Sequence, residues 1–120
     1  MSKSVLVVDD DVDLATTLAE SLRDLGYEAS ACFSGSDVMT RLKAGARPGL
    51  ILLDLMMPAM NGWRVCEELS ASPELDPIPV LIMTAASNLK QPMPPHARGV
   101  IGKPFDLEDI VGRIEACPSS

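Results

Sequence analysis

The sequence has few cysteines and no long hydrophobic run. Its three cysteines, Cys32, Cys66 and Cys117, are odd in number and have neither CxxC nor metal-site spacing, so they indicate small thiols in a reducing compartment. No apolar stretch is long enough to span a bilayer. The first apolar run is short and continues directly into three aspartates, which argues against a signal peptide. We therefore expect a cytoplasmic protein without membrane association.

Basic residues are also scarce. Ten lysines and arginines stand against 17 aspartates and glutamates, which gives a net charge of −7. A domain of this charge repels nucleic-acid phosphates and anionic lipids, so we expect it to bind neither nucleic acid nor membrane directly. The length of 120 residues suits one domain with its own hydrophobic core, and we expect that single domain to cover residues 1–120.

Short apolar runs alternate with segments of helical periodicity along the chain. This alternation predicts βα units around a parallel sheet. The predicted strands are residues 4–8, 27–33, 50–53, 80–83 and 99–101. A helix that ends at Gly26 follows the first strand, and Ser34 or Ser36, Asn61 and Asp106 are the candidate N-caps of later helices.

The segment between Thr84 and Lys103 interrupts this pattern. A fourth helix belongs there, but prolines occupy positions 92, 94 and 95. Proline removes a backbone donor and clashes with the preceding turn, so any helix must stop by about Gln91. We expect one or two helical turns at most, and then an extended segment.

Charged residues follow three of the predicted strands. Asp9, Asp10 and Asp11 follow the first strand, Asp54 closes the third, and Lys103 comes after the fifth. The carboxyl ends of parallel strands lie at one edge of a sheet, where open α/β folds build their sites. The sequence therefore predicts that these carboxylates and this lysine share a site.

Carboxylates gathered at one place repel one another unless a cation lies among them. Mg²⁺ is held by one or two carboxylates together with waters and phosphate oxygens. Asp54 can be a third oxygen ligand and also a nucleophile, because a carboxylate can attack phosphorus to form an acyl phosphate. Lys103 would stabilise the phosphoryl oxygens, and the hydroxyl of Thr84 could donate to the attached group.

Each of these residues also has an ordinary structural interpretation. Aspartates after a strand are often only helix N-caps, and Thr84 alone is typical of a turn. Their joint occurrence at the ends of four strands favours a phosphoryl-transfer site. Two enzyme classes on the same fold are disfavoured. A flavodoxin-type cofactor site needs a glycine- and hydroxyl-rich loop after strand one, and a haloacid-dehalogenase-like phosphatase needs a carboxylate where Met56 stands.

The motifs VLVVDDD, LILLDLMMPAMNG, PVLIMTA and GKPF, in this order, resemble the receiver domain of two-component response regulators over essentially the whole chain. The resemblance implies a flavodoxin-like five-stranded parallel sheet in the order 2-1-3-4-5. It implies that Asp54 is the phosphoacceptor, and that Asp9, Asp10, Asp54 and the carbonyl of Met56 hold Mg²⁺. It also implies that Thr84 is the switch hydroxyl, that Lys103 pairs with the phosphoryl group, and that the Lys103–Pro104 peptide is cis.

The resemblance implies partners as well. The phosphoryl donor would be a phosphohistidine on a histidine kinase or a histidine phosphotransfer protein, and the output would go to a downstream protein that the sequence does not identify. The domain would catalyse only its own phosphorylation and dephosphorylation. Met56 and Ala86 cannot orient a water by hydrogen bonding, so we expect slower self-dephosphorylation than in a version with a carboxylate or amide at Ala86.

The chain departs from the family in the parts that report phosphorylation. Val100 stands where receivers commonly carry an aromatic residue that rotates inward, and the prolines fall on the fourth helix. A second function therefore stays open: a receiver-fold docking module whose phosphorylation is weak or is not read out in the usual way. For two further residues we expect ordinary structural roles. We expect Trp63 to pack within the third helix and His96 to be a solvated loop residue.

Overall fold

A computed structural model describes residues 3–85 and 92–117 of the chain. Five strands form one sheet, and every neighbouring pair in it is parallel. The strands are β1 (Ser4–Val8), β2 (Glu28–Cys32), β3 (Leu50–Asp54), β4 (Val80–Ala85) and β5 (Ala97–Lys103), in the order β2-β1-β3-β4-β5. The described helices are α1 (Val12–Asp24), α2 (Gly35–Lys43), α3 (Gly62–Ser70) and α4 (Leu107–Ala116). The predicted flavodoxin-like strand order is confirmed.

Helices cover both faces of the sheet, which makes the central strands almost continuously apolar. Successive residues of β1 point to opposite faces, as the two-residue period of a strand requires. Leu6 and Val8 join a core cluster with the buried residues of α2 and α3, whereas Val5 and Val7 join a second cluster with those of α1 and α4. The core is therefore two separate apolar layers divided by the sheet.

Local capping fixes where the helices begin. Asp11 accepts from the Leu14 N–H at 3.1 Å, and Asn61 accepts from the Arg64 N–H at 3.0 Å. Ser34, rather than Ser36, caps α2, because its hydroxyl accepts from the Asp37 N–H at 3.1 Å. The expected cap at Asp106 is also found at the start of α4.

Some predicted boundaries were wrong by a few residues. β5 was expected to cover residues 99–101 but extends over Ala97–Lys103, because it pairs with β4 along its whole length across a register shift. β2 is one residue shorter at each end than residues 27–33. The predicted turns of a fourth helix, together with Ala86, fall on residues 86–91, outside the described residues. Residues 92–96 contain no helix, as the prolines predicted.

Two further expectations can be compared with the structure. Cys32 and Cys66 are buried free thiols, as expected, and burial raises the pKa of each to about 12. Among the residues that the structure describes, no helix combines the length and apolar character needed to cross a bilayer.

Candidate functional site

The sheet brings the predicted charged residues to one edge. Asp9 follows the last residue of β1, Asp54 ends β3 and Lys103 ends β5. A carboxylate oxygen from each of Asp9, Asp10 and Asp54 lies within 4.8 Å of the other two. The three carboxylates differ in environment, because Asp9 and Asp54 are buried whereas Asp10 is exposed. This is a cluster of oxygen ligands open to solvent on one side.

Lys103 is the cation of this cluster. Its Nζ lies 2.6 Å from Asp9 Oδ2 and 3.8 Å from Asp54 Oδ1. The other oxygen of Asp9 accepts from the Asp11 N–H at 2.9 Å. Both oxygens of the fully buried Asp9 are thus hydrogen-bonded, which offsets the cost of removing its charge from water. Lys103 is closer to Asp9 than to Asp54, so the Asp54 carboxylate is the less neutralised of the two.

The ionised form of Asp54 is disfavoured in the folded domain. Burial, the largest cause, and the negative charge of Asp9 raise the pKa of Asp54 from 3.8 to about 6, although Lys103 and the Met56 N–H oppose the rise. The Met56 N–H donates to Asp54 Oδ1 over a long 3.4 Å. A cation beside Asp54 would favour the ionised form, which is the form that can attack phosphorus.

Thr84 is the second-last residue of β4. Its side chain is buried, and Oγ1 has no hydrogen-bond partner among the residues that the structure describes. A buried hydroxyl without a partner costs free energy, and such groups are rare in folded proteins. An oxygen atom delivered to this edge of the sheet would give Thr84 an acceptor.

The loop between β3 and α3 is closed tightly against the phosphoacceptor candidate. The Gly62 N–H donates to the Leu55 carbonyl at 2.9 Å. A Cβ at position 62 would lie 2.9 Å from the Asp54 carbonyl oxygen and 2.9 Å from Leu55 Cα, so only glycine fits without a shift. The side chain of Met56 is left 47% exposed at the mouth of the site. The first turn of α3 is therefore fixed directly to the end of β3.

The remaining structural expectation at this edge is the Lys103–Pro104 peptide, which is cis as predicted. Val100 is partly buried against the apolar layer of α2 and α3. Its carbonyl accepts from Arg113 at 3.1 Å.

Comparison with known proteins decides the family. The family described as the response regulator receiver domain matches residues 5–115 of this chain. The chain belongs to this family. The DNA-binding response regulator MtrA of Mycobacterium tuberculosis (strain ATCC 25618 / H37Rv) is 35% identical over 119 residues, which cover 97% of this chain and 50% of MtrA. The receiver domain thus spans about half the length of the curated relatives it matches.

Solved structures agree with this assignment. The chemotaxis response regulator CheY4 of Vibrio cholerae is 25% identical with a TM-score of 0.84, over 96% of this chain and 98% of CheY4. The response regulator TrrA of Thermotoga maritima, solved in complex with Mg²⁺–BeF, is 25% identical with a TM-score of 0.81, over 96% and 97%. Receiver domains are signalling modules rather than classical enzymes, generally bind Mg²⁺ and interact with histidine kinases.

The structure also places two residues that the sequence did not single out for function. The expectation that His96 is solvated was wrong: its side chain is 5% exposed, with Nε2 at 2.9 Å from the Ile78 carbonyl and Nδ1 at 3.2 Å from Ser70 Oγ. Trp63 packs against the core as expected, but its indole N–H also donates to the Pro92 carbonyl at 2.9 Å. Both contacts join residues far apart in the chain, and no local pattern signals them.

Proposed function

We propose that this receiver domain accepts a phosphoryl group on Asp54 in a Mg²⁺-dependent reaction and thereby changes its binding to a partner protein. The observation that carries the proposal is the grouping of Asp54 with Asp9, Asp10 and Lys103 at one edge of the sheet. The domain acts only on itself in this reaction. Residues 1–120 form a single receiver domain, which is consistent with the family match over residues 5–115.

The residues present fit a magnesium ion. The cluster offers only oxygen ligands, and a cation among them would offset the burial and the charge of Asp9 that raise the pKa of Asp54. Asp9, Asp10, Asp54 and the backbone carbonyl of Met56 would hold the ion. When bound, Mg²⁺ offsets negative charge on the transferring phosphoryl group.

The chemistry is carried by three side chains. A carboxylate oxygen of Asp54 attacks the phosphorus of a phosphohistidine. The new P–O bond forms as the P–N bond breaks, and the electron pair of the P–N bond returns to the imidazole nitrogen of the donor. Lys103, already 3.8 Å from Asp54 Oδ1, neutralises the phosphoryl oxygens after the transfer. The buried hydroxyl of Thr84, which has no partner within residues 3–85 and 92–117, donates to the same group.

The donor is a histidine kinase or a histidine phosphotransfer protein, and the output goes to a downstream protein. The net charge of −7 supports the view that this domain makes no direct contact with nucleic acid. MtrA is described as DNA-binding, but this chain matches only about half of it. Self-dephosphorylation is slower than it would be with a carboxylate or amide at position 86, because neither Met56 nor Ala86 has a side-chain group that hydrogen-bonds an attacking water.

A second function rests on Val100. This residue has only methyl groups where receivers commonly carry a rotating aromatic side chain, so the domain would serve as a docking module whose phosphorylation is weak or read out unusually. Titration with Mg²⁺ and fluoroberyllate, wild type against Asp54→Asn, separates the two when hydrogen exchange is followed over residues 84–105. An Asp54-dependent change in exchange supports the switch. Binding of fluoroberyllate without any change supports the docking module, and no Asp54-dependent binding would refute phosphorylation at this site.

A further inference from the structure

Trp63 connects α3 to the segment that precedes β5. We call residues 92–96 (Pro92, Met93, Pro94, Pro95 and His96) the proline segment. The indole N–H of Trp63 donates to the carbonyl of Pro92, the first residue of this segment, at 2.9 Å. The bond lies in an exposed position, and a groove of about 520 Å³ runs beside it between α3 and the proline segment.

His96 holds the other end of the proline segment. Both of its ring nitrogens are hydrogen-bonded, one to the Ile78 carbonyl and one to Ser70 Oγ, and its side chain is 5% exposed. The Ala97 N–H donates to the Pro94 carbonyl at 3.0 Å, where β5 begins. The His96 end is therefore buried and held by several bonds. Among the described residues, the one hydrogen bond at the Pro92 end is the exposed bond from Trp63, and the neighbouring Met93 packs against the core.

Trp63 is also attached to the phosphorylation site through its neighbour in sequence. Gly62 donates to Leu55, and its Cα is packed so closely on the end of β3 that a methyl group would meet the Asp54 carbonyl at 2.9 Å. One short stretch of packed backbone thus connects Asp54 with Trp63.

We propose that Trp63 is a positioning residue of the switch. Its bond to Pro92 holds the proline segment against α3 in the unphosphorylated chain, phosphorylation opens that bond, and His96 keeps the far end attached. This inference rests on the proposed function, because it requires phosphorylation of Asp54.

The strength of a single exposed hydrogen bond suits this task. Such a bond changes an equilibrium constant by roughly threefold to tenfold. That is enough to bias a switch toward one state but too little to prevent its conversion. Removing the bond should therefore raise the fraction of chains already in the binding-competent state, and should tighten the apparent affinity for a phosphoryl mimic by the same factor.

Two measurements test the proposal with Mg²⁺ and fluoroberyllate as the probe. Trp63 is the only tryptophan, so tryptophan fluorescence reports the surroundings of this indole ring. We expect the wild-type emission to shift to longer wavelength on addition of the probe, because the indole loses its carbonyl partner to water, and we expect no shift in Asp54→Asn. Bound fluoroberyllate is followed separately by fluorine NMR, which does not depend on the tryptophan.

Trp63→Phe keeps an aromatic ring but removes the donor. We expect its half-saturating fluoroberyllate concentration to fall roughly threefold to tenfold relative to wild type. Glu68→Gln is the matched control on the same helix, where it breaks only a surface ion pair with Arg64, and should leave that concentration unchanged. A purely structural role of Trp63 would lower the melting temperature without altering half-saturation.

The outcomes separate this inference from the function on which it rests. Fluoroberyllate binding with unchanged wild-type emission, or with equal half-saturation in Trp63→Phe and wild type, would overturn the role of Trp63 and leave the phosphoacceptor intact. Absence of any Asp54-dependent fluorine signal would overturn both.

Discussion

Neutralising Asp54 should make the metal-free domain more stable. The pKa of Asp54 rises from 3.8 to about 6 on folding, mainly because the carboxyl is buried. A folded pKa above the unfolded one gives stability that is fully present below pH 3.8 and is lost as the pH rises through about 6. The lost stability corresponds to about 3 kcal/mol at pH 7.5. Asp54→Asn mimics the protonated form, so it should unfold with a free energy about 2–3 kcal/mol higher than wild type.

Urea unfolding in the presence of a chelator measures this difference. Most of the gain should disappear at pH 4, where folded Asp54 is already protonated. Mg²⁺ at pH 7.5 should narrow the gap, because it binds and stabilises the folded wild type. Glu20→Gln, on the exposed face of α1, is a control that should change stability by less than about 0.5 kcal/mol. An Asp54→Asn domain no more stable than wild type at pH 7.5 would refute the reasoning.

Three other substitutions test the site. Lys103→Met leaves the buried Asp9 without its cation, so it should lower the free energy of urea unfolding at pH 7.5 by about 3–5 kcal/mol. A decrease of less than about 1 kcal/mol would contradict the pairing. Gly62→Ala should lower the free energy of unfolding by about 1–3 kcal/mol. Its control is Gly112→Ala in α4, where an added Cβ meets nothing within 4 Å and should raise that free energy by about 0.5–1 kcal/mol. Equal melting temperatures for the two variants would disprove the close packing at position 62. The Thr84 hydroxyl has no partner among the described residues, so Thr84→Val should be no less stable than wild type. Hydrogen exchange should nevertheless no longer respond to fluoroberyllate in this variant, and a preserved response would exclude Thr84 from the switch.

Much of the fold was predictable because its signals are local. The continuously apolar run from Leu50 to Leu53 predicts a strand buried on both faces, and Asn61 is recognisable as a cap from its position alone. The length of β5 was not predictable, since it depends on a register shift in its pairing with β4. Strand boundaries set by a partner strand leave little trace in the strand's own residues.

The sequence predicted which residues form the site, but not how deeply each of them is buried. Strand ends indicate that Asp9, Asp10 and Asp54 meet, yet only the structure distinguishes the buried Asp9 from the exposed Asp10. The burial of His96 depends on contacts with Ser70 and Ile78, 26 and 18 residues away in sequence. Such contacts exist only after the chain has folded, and a single histidine beside prolines gives no sign of them.

The division of the core into two layers has an evolutionary consequence. Trp63, Met93 and Val100 all pack against the layer of α2 and α3, whereas Phe105 and Val111 pack against the layer of α1 and α4. A substitution in one layer affects the other layer through the backbone of the sheet, which lies between them. In related proteins the surface beside α3 can therefore change, one side chain at a time, to bind new partner proteins. The opposite layer meanwhile keeps α1 and α4 in place.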